Sequence, residues 1–226
     1  MKKVIFAAPA YTSSGYGVHS RQIIRILNNF KQFDISLKAV HWGNTPFLLR
    51  DFEEKNILDL ANSKYAMINE KSQKSGKQYE FDLSFQLILP DEWDTDMAKF
   101  NVGITAGVET TMCSSGWIDA CNAMDLVIVP SNHIKQTFLN SGNLNTPIEV
   151  VPECFPKYLE DMDLLCDLDL DFKTNFNFLH VGQIGAHDEN NDRKSIYTLI
   201  RIFCKAFEGN KDVGLVLKVN SGRDTP

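Results

Sequence analysis

Apolar residues fall along this chain in two alternating rhythms. Short continuous runs at residues 4–8, 35–40, 81–89, 102–106, 126–129 and 148–151 are expected to be strands covered on both faces. Between them, spacings of three and four predict helices. One carries Ile23, Ile26, Leu27 and Phe30, another Trp117, Ala120, Cys121 and Met124, and a third Ile134 and Phe138, with Ser131 placed to cap it. Residues 47–72 are mixed but mostly helical by propensity, and the polar stretch 73–78, with its glycine, reads as an exposed loop. Pro90, Pro130 and Pro152 stop three of the strands. Strands that alternate with helices in this way imply a parallel, doubly wound α/β sheet.

The rhythm breaks where Glu160, Asp161, Asp163, Asp167, Asp169 and Asp171 crowd one segment, which reads as a solvated linker. It then restarts. Residues 178–181 form a strand, Ile196, Leu199, Ile200, Phe203 and Phe207 a helical stripe, and residues 213–219 another strand. The expected organisation is a first domain over 1–172 and the opening βαβ unit of a second over 173–226.

With 226 residues, 43% of them hydrophobic, the chain can bury a core without a disulfide or metal staple. The net charge of -6 and the absence of a basic run argue against nucleic-acid binding, while leaving room for a peripheral membrane contact. The five cysteines, Cys113, Cys121, Cys154, Cys166 and Cys204, are odd in number and lack C-x-x-C spacing, as expected of free thiols in a reducing cytoplasm. Two lysines before an apolar run imitate a signal peptide, but the run ends by Ala10 and a glycine-bearing loop follows, so it reads as a buried first strand. No apolar stretch is long enough to span a bilayer.

In open α/β sheets ligands bind beyond the carboxyl ends of the strands, and three such loops carry candidate chemistry. The first contains Gly15, Tyr16 and Gly17 ahead of a helix, a setting for an anion or simply for a tight turn. It lacks the third glycine of a dinucleotide fingerprint, and the second strand ends at His41-Trp42-Gly43 without the acidic residue that would hold a ribose. A nicotinamide enzyme is therefore disfavoured. The second loop runs from Gly182-Gln183-Ile184-Gly185 to Arg193, Lys194 and Ser195, read as the opening of a helix. Cations there oppose the helix dipole unless a diphosphate binds; otherwise they are solvated and screened by Asp188, Glu189 and Asp192. The third places Glu109 just past a buried strand, either facing a ligand or accepting from the next helix N-terminus. His187 beside carboxylates is at most a weak metal cluster.

The segments GYGVHSRQIIRIL, GVETTMCSSGWIDACNAMDLVIVPSNHIKQTFLNSG, PIEVVPECF and FLHVGQIGAHDENNDRKSIYTLIRIFCKAF, in this order, resemble the retaining GT-B glycosyltransferases of family 4, or group 1. The resemblance implies two Rossmann-like domains, the first for an acceptor and the second for the nucleotide of a sugar donor. It places Gly15, Tyr16 and Gly17 near the donor, Arg193 and Lys194 on its diphosphate, and Glu109 near the transferred sugar. It implies no metal and no cofactor besides the donor.

The departures are Gln183 where the family often has arginine, and Val151-Pro152-Glu153-Cys154-Phe155-Pro156 where it has V-P-N-G-V-D. The acidic pair for the donor ribose and sugar should lie beyond Pro226, so this polypeptide alone is expected to show little turnover. The rival readings are a non-catalytic module that binds a nucleotide sugar, a glycan or a protein, and a nucleotide-dependent epimerase or dehydrogenase. The latter lacks a Y-x-x-x-K pair in the expected setting.

Overall fold

A computed structural model describes residues 1–43, 45, 47, 49, 55–76, 79–155, 157–160, 170–182, 189–192 and 194–219. The chain divides into two compact units, Met1–Asp161 and Met162–Pro226, with the division inside the acidic segment.

In the first unit the order is β1 (Lys2–Ala8), α1 (Gly15–Asn28), β2 (Phe33–Ala39), α2 (Lys55–Ser75), β3 (Leu83–Leu87), β4 (Asn101–Ile104), α3 (Ser115–Asn122), β5 (Leu126–Val129), α4 (Asn132–Ser141) and β6 (Ile148–Val150). The six strands form one sheet in the order β2-β1-β3-β4-β5-β6, and every neighbouring pair is parallel. This is an α/β architecture compatible with a Rossmann-like fold. The chain leaves β1 toward one edge and returns from β2 toward the other, so right-handed crossovers put α1 and α2 on opposite faces. Phe6, Leu37 and Leu87 of the sheet, Ile24 of α1 and Leu58 of α2 make one buried cluster. Cys121, Val127, Val129, Ile134 and Phe138 make a second, under α3 and α4.

All six strand expectations in this unit correspond to strands, and β5 occupies residues 126–129 as read. The third begins later than expected, at Leu83; ahead of it the Asp82 N–H donates to the Lys3 carbonyl at 2.9 Å while the Asp82 carboxylate accepts from the Lys3 N–H at 2.8 Å. Two helical expectations are corrected. The buried residues of α1 are Gly17, His19, Ser20, Arg21, Gln22, Ile24 and Leu27, whereas Ile26 and Phe30 are 48% and 49% exposed. Polar Ser20 and Arg21 face inward with partners for their polar atoms: the Ser20 hydroxyl donates to the Tyr16 carbonyl at 2.5 Å, and the Arg21 guanidinium donates to the carbonyls of Ala10 and Thr12, at 2.9 and 2.8 Å, and ties the preceding loop to the helix. The segment 73–78 is not wholly loop either. α2 runs on to Ser75 and ends at Gly76, whose φ of 65° is the left-handed conformation that stops helices.

The second unit has β7 (Phe176–Val181), α5 (Ile196–Ala206) and β8 (Val213–Lys218), with β7 and β8 parallel and paired in register from Phe176–Val213 to Val181–Lys218. Phe178, Phe203 and Phe207 cluster between strand and helix. Among the described residues, no helix is long and apolar enough to cross a membrane.

Candidate functional site

The order β2-β1-β3 creates a switch point. The chain leaves β1 for one side and β3 for the other, and the crevice between their carboxyl ends is where such sheets place ligands. The loop after β1 is built rigidly. Thr12 is fully buried; its hydroxyl donates to the Pro9 carbonyl at 2.9 Å and lies 2.7 Å from the Ser14 hydroxyl. Ser14 is the N-cap of α1 and accepts from the Gly17 N–H at 3.0 Å.

This changes the reading of the two glycines. A Cβ on Gly17 would lie 2.1 Å from the Thr12 carbonyl oxygen, so that glycine is required by packing against the chain's own backbone. A bulkier residue cannot stand there with the loop intact, and the N–H of Gly17 is already used by the cap. Gly15 is exposed, with nothing within 4 Å of where its Cβ would be.

Tyr16, between them, reaches across β3 to the end of β4. Its hydroxyl exchanges a hydrogen bond with the Thr105 hydroxyl at 3.0 Å and accepts from the Ala106 N–H at 3.0 Å. The Trp42 ring, just past β2, stacks on it with centroids 4.3 Å apart. Burial raises the Tyr16 pKa, the Thr105 and Ala106 bonds oppose that rise, and the carboxylates of Glu153 and Glu92 add to it. Both carboxylates therefore act on this ring. Glu92 sits at the end of a short 3-10 turn after β3 and accepts from the Leu89 N–H at 3.4 Å. The neighbouring Trp93 donates to the Gln86 carbonyl at 3.1 Å and covers Gly103, where a Cβ would meet its ring at 2.6 Å.

Glu153 arrives from the far side. After β6 the chain turns back, and the Glu153 carboxylate lies 3.3 Å from Nδ1 of buried His19, while the Cys154 thiol donates to the Gln22 side chain at 3.3 Å. Burial lowers the His19 pKa below its usual 6.5, and Glu153 pulls it partly back.

Sequence reasoning singled out Tyr16 between its two glycines. It missed Trp42, Glu92 and Glu153 as members of the site. The available signal was their common position, each a few residues past a strand end. Glu109 lies on an exposed bend beyond β4, held near α4 by the Thr137 hydroxyl, which donates to the Thr110 carbonyl at 3.1 Å.

No family model matches the chain, and no match is found among curated proteins. The functional reading therefore stands on the chain's own residues.

In the second unit α5 begins at Ile196, later than the expected Arg193-Lys194-Ser195 opening, because Ser195 adopts a left-handed conformation with φ 54°. Asp192 is buried, and its two carboxylate oxygens accept from the N–H groups of Lys194 and Tyr197, both at 3.1 Å. The chain's own carboxylate thus occupies the helix N-terminus, and the Lys194 side chain is exposed beside it. Glu189 accepts from Thr198 and Arg201, which holds its carboxyl below the usual range. Arg193, His187, Asp188 and residues 183–185 lie outside the described residues. Among the described residues, no group of His, Cys, Asp and Glu could hold a metal ion.

A groove of about 740 Å³ lined by Lys64, Met67, Ile68, Lys71 and Tyr79 runs along the end of α2. It lies at the opposite, amino-terminal edge of the sheet, where Lys3 stands over the Tyr79 ring. Two lysines bordering it are already paired, Lys64 with Asp34 and Lys74 with Glu70.

Proposed function

We propose that this chain belongs to a GT-B type glycosyltransferase, in which the first unit receives the acceptor and the second contributes to a nucleotide-sugar site. The observation that carries this reading is the convergence, at one sheet edge, of two of the segments that carry the resemblance. Tyr16 of the G-Y-G loop is bonded to Thr105 and Ala106, which immediately precede the G-V-E-T-T segment. The beginning of a second parallel α/β unit, with Lys194 next to its helix, supports the same reading.

Transfer must break an anomeric C–O bond while negative charge grows on the departing diphosphate. A cation aimed at that charge stabilises the transition state more than the ground state. Lys194 is suited to this because its backbone is pinned by Asp192, and the resemblance assigns Arg193 to the same diphosphate. In this reading Glu109 touches the transferred sugar and the configuration is retained.

The test titrates uridine, guanosine, adenosine and cytidine sugar nucleotides into the full-length protein and follows release of the free nucleotide. Saturable binding with release supports transfer. Lys194→Ala should lower turnover on the order of 100- to 1,000-fold with little change in thermal midpoint, since a solvated lysine contributes little stability. Unchanged turnover would take Lys194 out of the site. Binding without turnover for every acceptor offered would favour the non-catalytic module, and absence of binding by all donors would end the transferase reading.

A further inference from the structure

The crevice beside β1 has a chemistry that argues about its own ligand. Its floor is aromatic and fixed: Tyr16 is held by two hydrogen bonds at its hydroxyl, and half-buried Trp42 stacks on it at 4.3 Å and 26°. Exposed His41 stacks on Phe47 at 4.8 Å and continues this surface beyond the end of β2. Its charge is negative. Glu153 stands beside His19 with 43% of its side chain exposed, and Glu92 is exposed after β3; the field of both carboxylates raises the Tyr16 pKa.

Two groups that would welcome an anion are otherwise engaged. The Gly17 N–H serves Ser14, and the Arg21 guanidinium holds the Ala10 and Thr12 carbonyls. Burial, moreover, keeps the His19 ring toward its neutral form. A phosphate entering here would meet two carboxylates without those groups to offset them. A neutral polyol meets acceptors for its hydroxyls and a flat aromatic face for its C–H surface.

We propose that this crevice takes an uncharged hexopyranose ring, laid against Trp42 with its hydroxyls donated to Glu153 and Glu92. This assigns the substrate class of the proposed acceptor site and rests on the transferase reading for the role, while saccharide binding itself is measurable without it. The phosphate role expected of the Gly15–Gly17 loop is then replaced by recognition of a neutral sugar.

The experiment titrates the full chain with methyl hexopyranosides and their disaccharides, with glucose 6-phosphate and inorganic phosphate as the charged counterparts. Tryptophan fluorescence and saturation-transfer NMR report binding. At least one neutral sugar is expected to saturate, and its 6-phosphate to bind roughly tenfold more weakly or worse. Trp42→Ala should weaken the neutral sugar by about tenfold or more, Trp42→Phe should restore much of it, and Glu153→Gln should both weaken it and narrow the gap to the phosphate ester.

Should Trp42→Ala lower the thermal midpoint sharply, Trp42→Phe and Glu153→Gln carry the test. No saturable binding by any neutral sugar overturns the proposal, and so does tighter binding of the phosphate ester or indifference of the affinity to both positions. Neutral-sugar binding by a full-length protein that turns over no nucleotide sugar would uphold this subsite and count against transfer. Turnover onto a phosphorylated acceptor alone would do the reverse.

Discussion

The first and seventh strands have similar sequences and opposite fates. β1 reads Val-Ile-Phe-Ala-Ala after its two lysines, and all five of those residues are at most 2% exposed. β7 reads Phe-Asn-Phe-Leu-His-Val, yet Phe176 and Leu179 are 58% and 67% exposed. The difference lies in the cover. β1 has parallel neighbours on both sides, β2 and β3, with α1 and α2 on opposite faces. Among the described residues β7 pairs with β8 alone, and it packs Phe178 against Phe203 and Phe207 at α5. An apolar run states a demand for cover; the number of neighbours decides how much of it is met. A two-stranded sheet with one helix is marginal by the usual standards of strand assemblies, so perturbations of equal chemistry should have unequal reach in the two units.

The largest effect is expected at Gly17. Gly17→Val must push a side chain into the Thr12 carbonyl and should lower stability by about 3 kcal/mol or more, seen as a large fall in thermal midpoint. Gly15→Ala, two residues away and open to solvent, should change it little. Equal losses would mean that the loop after β1 is not the rigid element described.

Next comes Arg21. Replacement by methionine keeps the length but strands the buried carbonyls of Ala10 and Thr12, at a cost of about 2–3 kcal/mol in chemical denaturation. A loss well under 1 kcal/mol would show that the loop holds itself without the helix.

Asp192→Ala removes the acceptor for two N–H groups at the start of α5 and should cost about 1 kcal/mol. Hydrogen exchange is expected to quicken in α5 while β1 and β4 keep their protection. Protection lost equally from β1 would mean that the two units unfold as one.

The smallest effect concerns pH. The folded-state pKa of His19 lies below its unfolded value, so its contribution to stability is present above about pH 6.5 and is lost as pH falls through the folded-state pKa. Between about pH 8 and pH 5 the thermal midpoint should slope downward, His19→Gln should flatten that slope, and Glu153→Gln, by removing the opposing carboxylate, should steepen it. A slope untouched by His19→Gln would assign the pH dependence to other groups.

Much of the fold was legible because a parallel strand buried on both faces leaves a plain apolar run. Residues 126–129 were read without error for that reason, and Ser131 caps α4 as expected, accepting from the Ile134 N–H at 3.3 Å. The inward face of α1 was not legible. Counting apolar residues picks Ile26 and Phe30, while the buried positions include Ser20 and Arg21, whose partners are loop carbonyls that a local pattern does not display. The site was legible in part. Tyr16 announced itself between two glycines, but its partners Trp42, Thr105, Glu92 and Glu153 come from four different strand ends and meet only through the sheet order. Asp192 read as one more solvated acid; its burial as a cap depends on where the helix starts, which the left-handed Ser195 moves.

The return of the chain after β6 also has a consequence in time. Gln22 and Cys154 stand 132 residues apart in sequence and touch, and His19 meets Glu153 over a similar gap. At a synthesis rate of roughly 5–20 residues per second, on the order of ten seconds separate the emergence of the two partners. Throughout that interval α1 carries a face designed for a segment that does not yet exist. Contacts of such long reach slow the final step of folding, so the last few residues of this unit to be made are also those that complete the surroundings of its first helix.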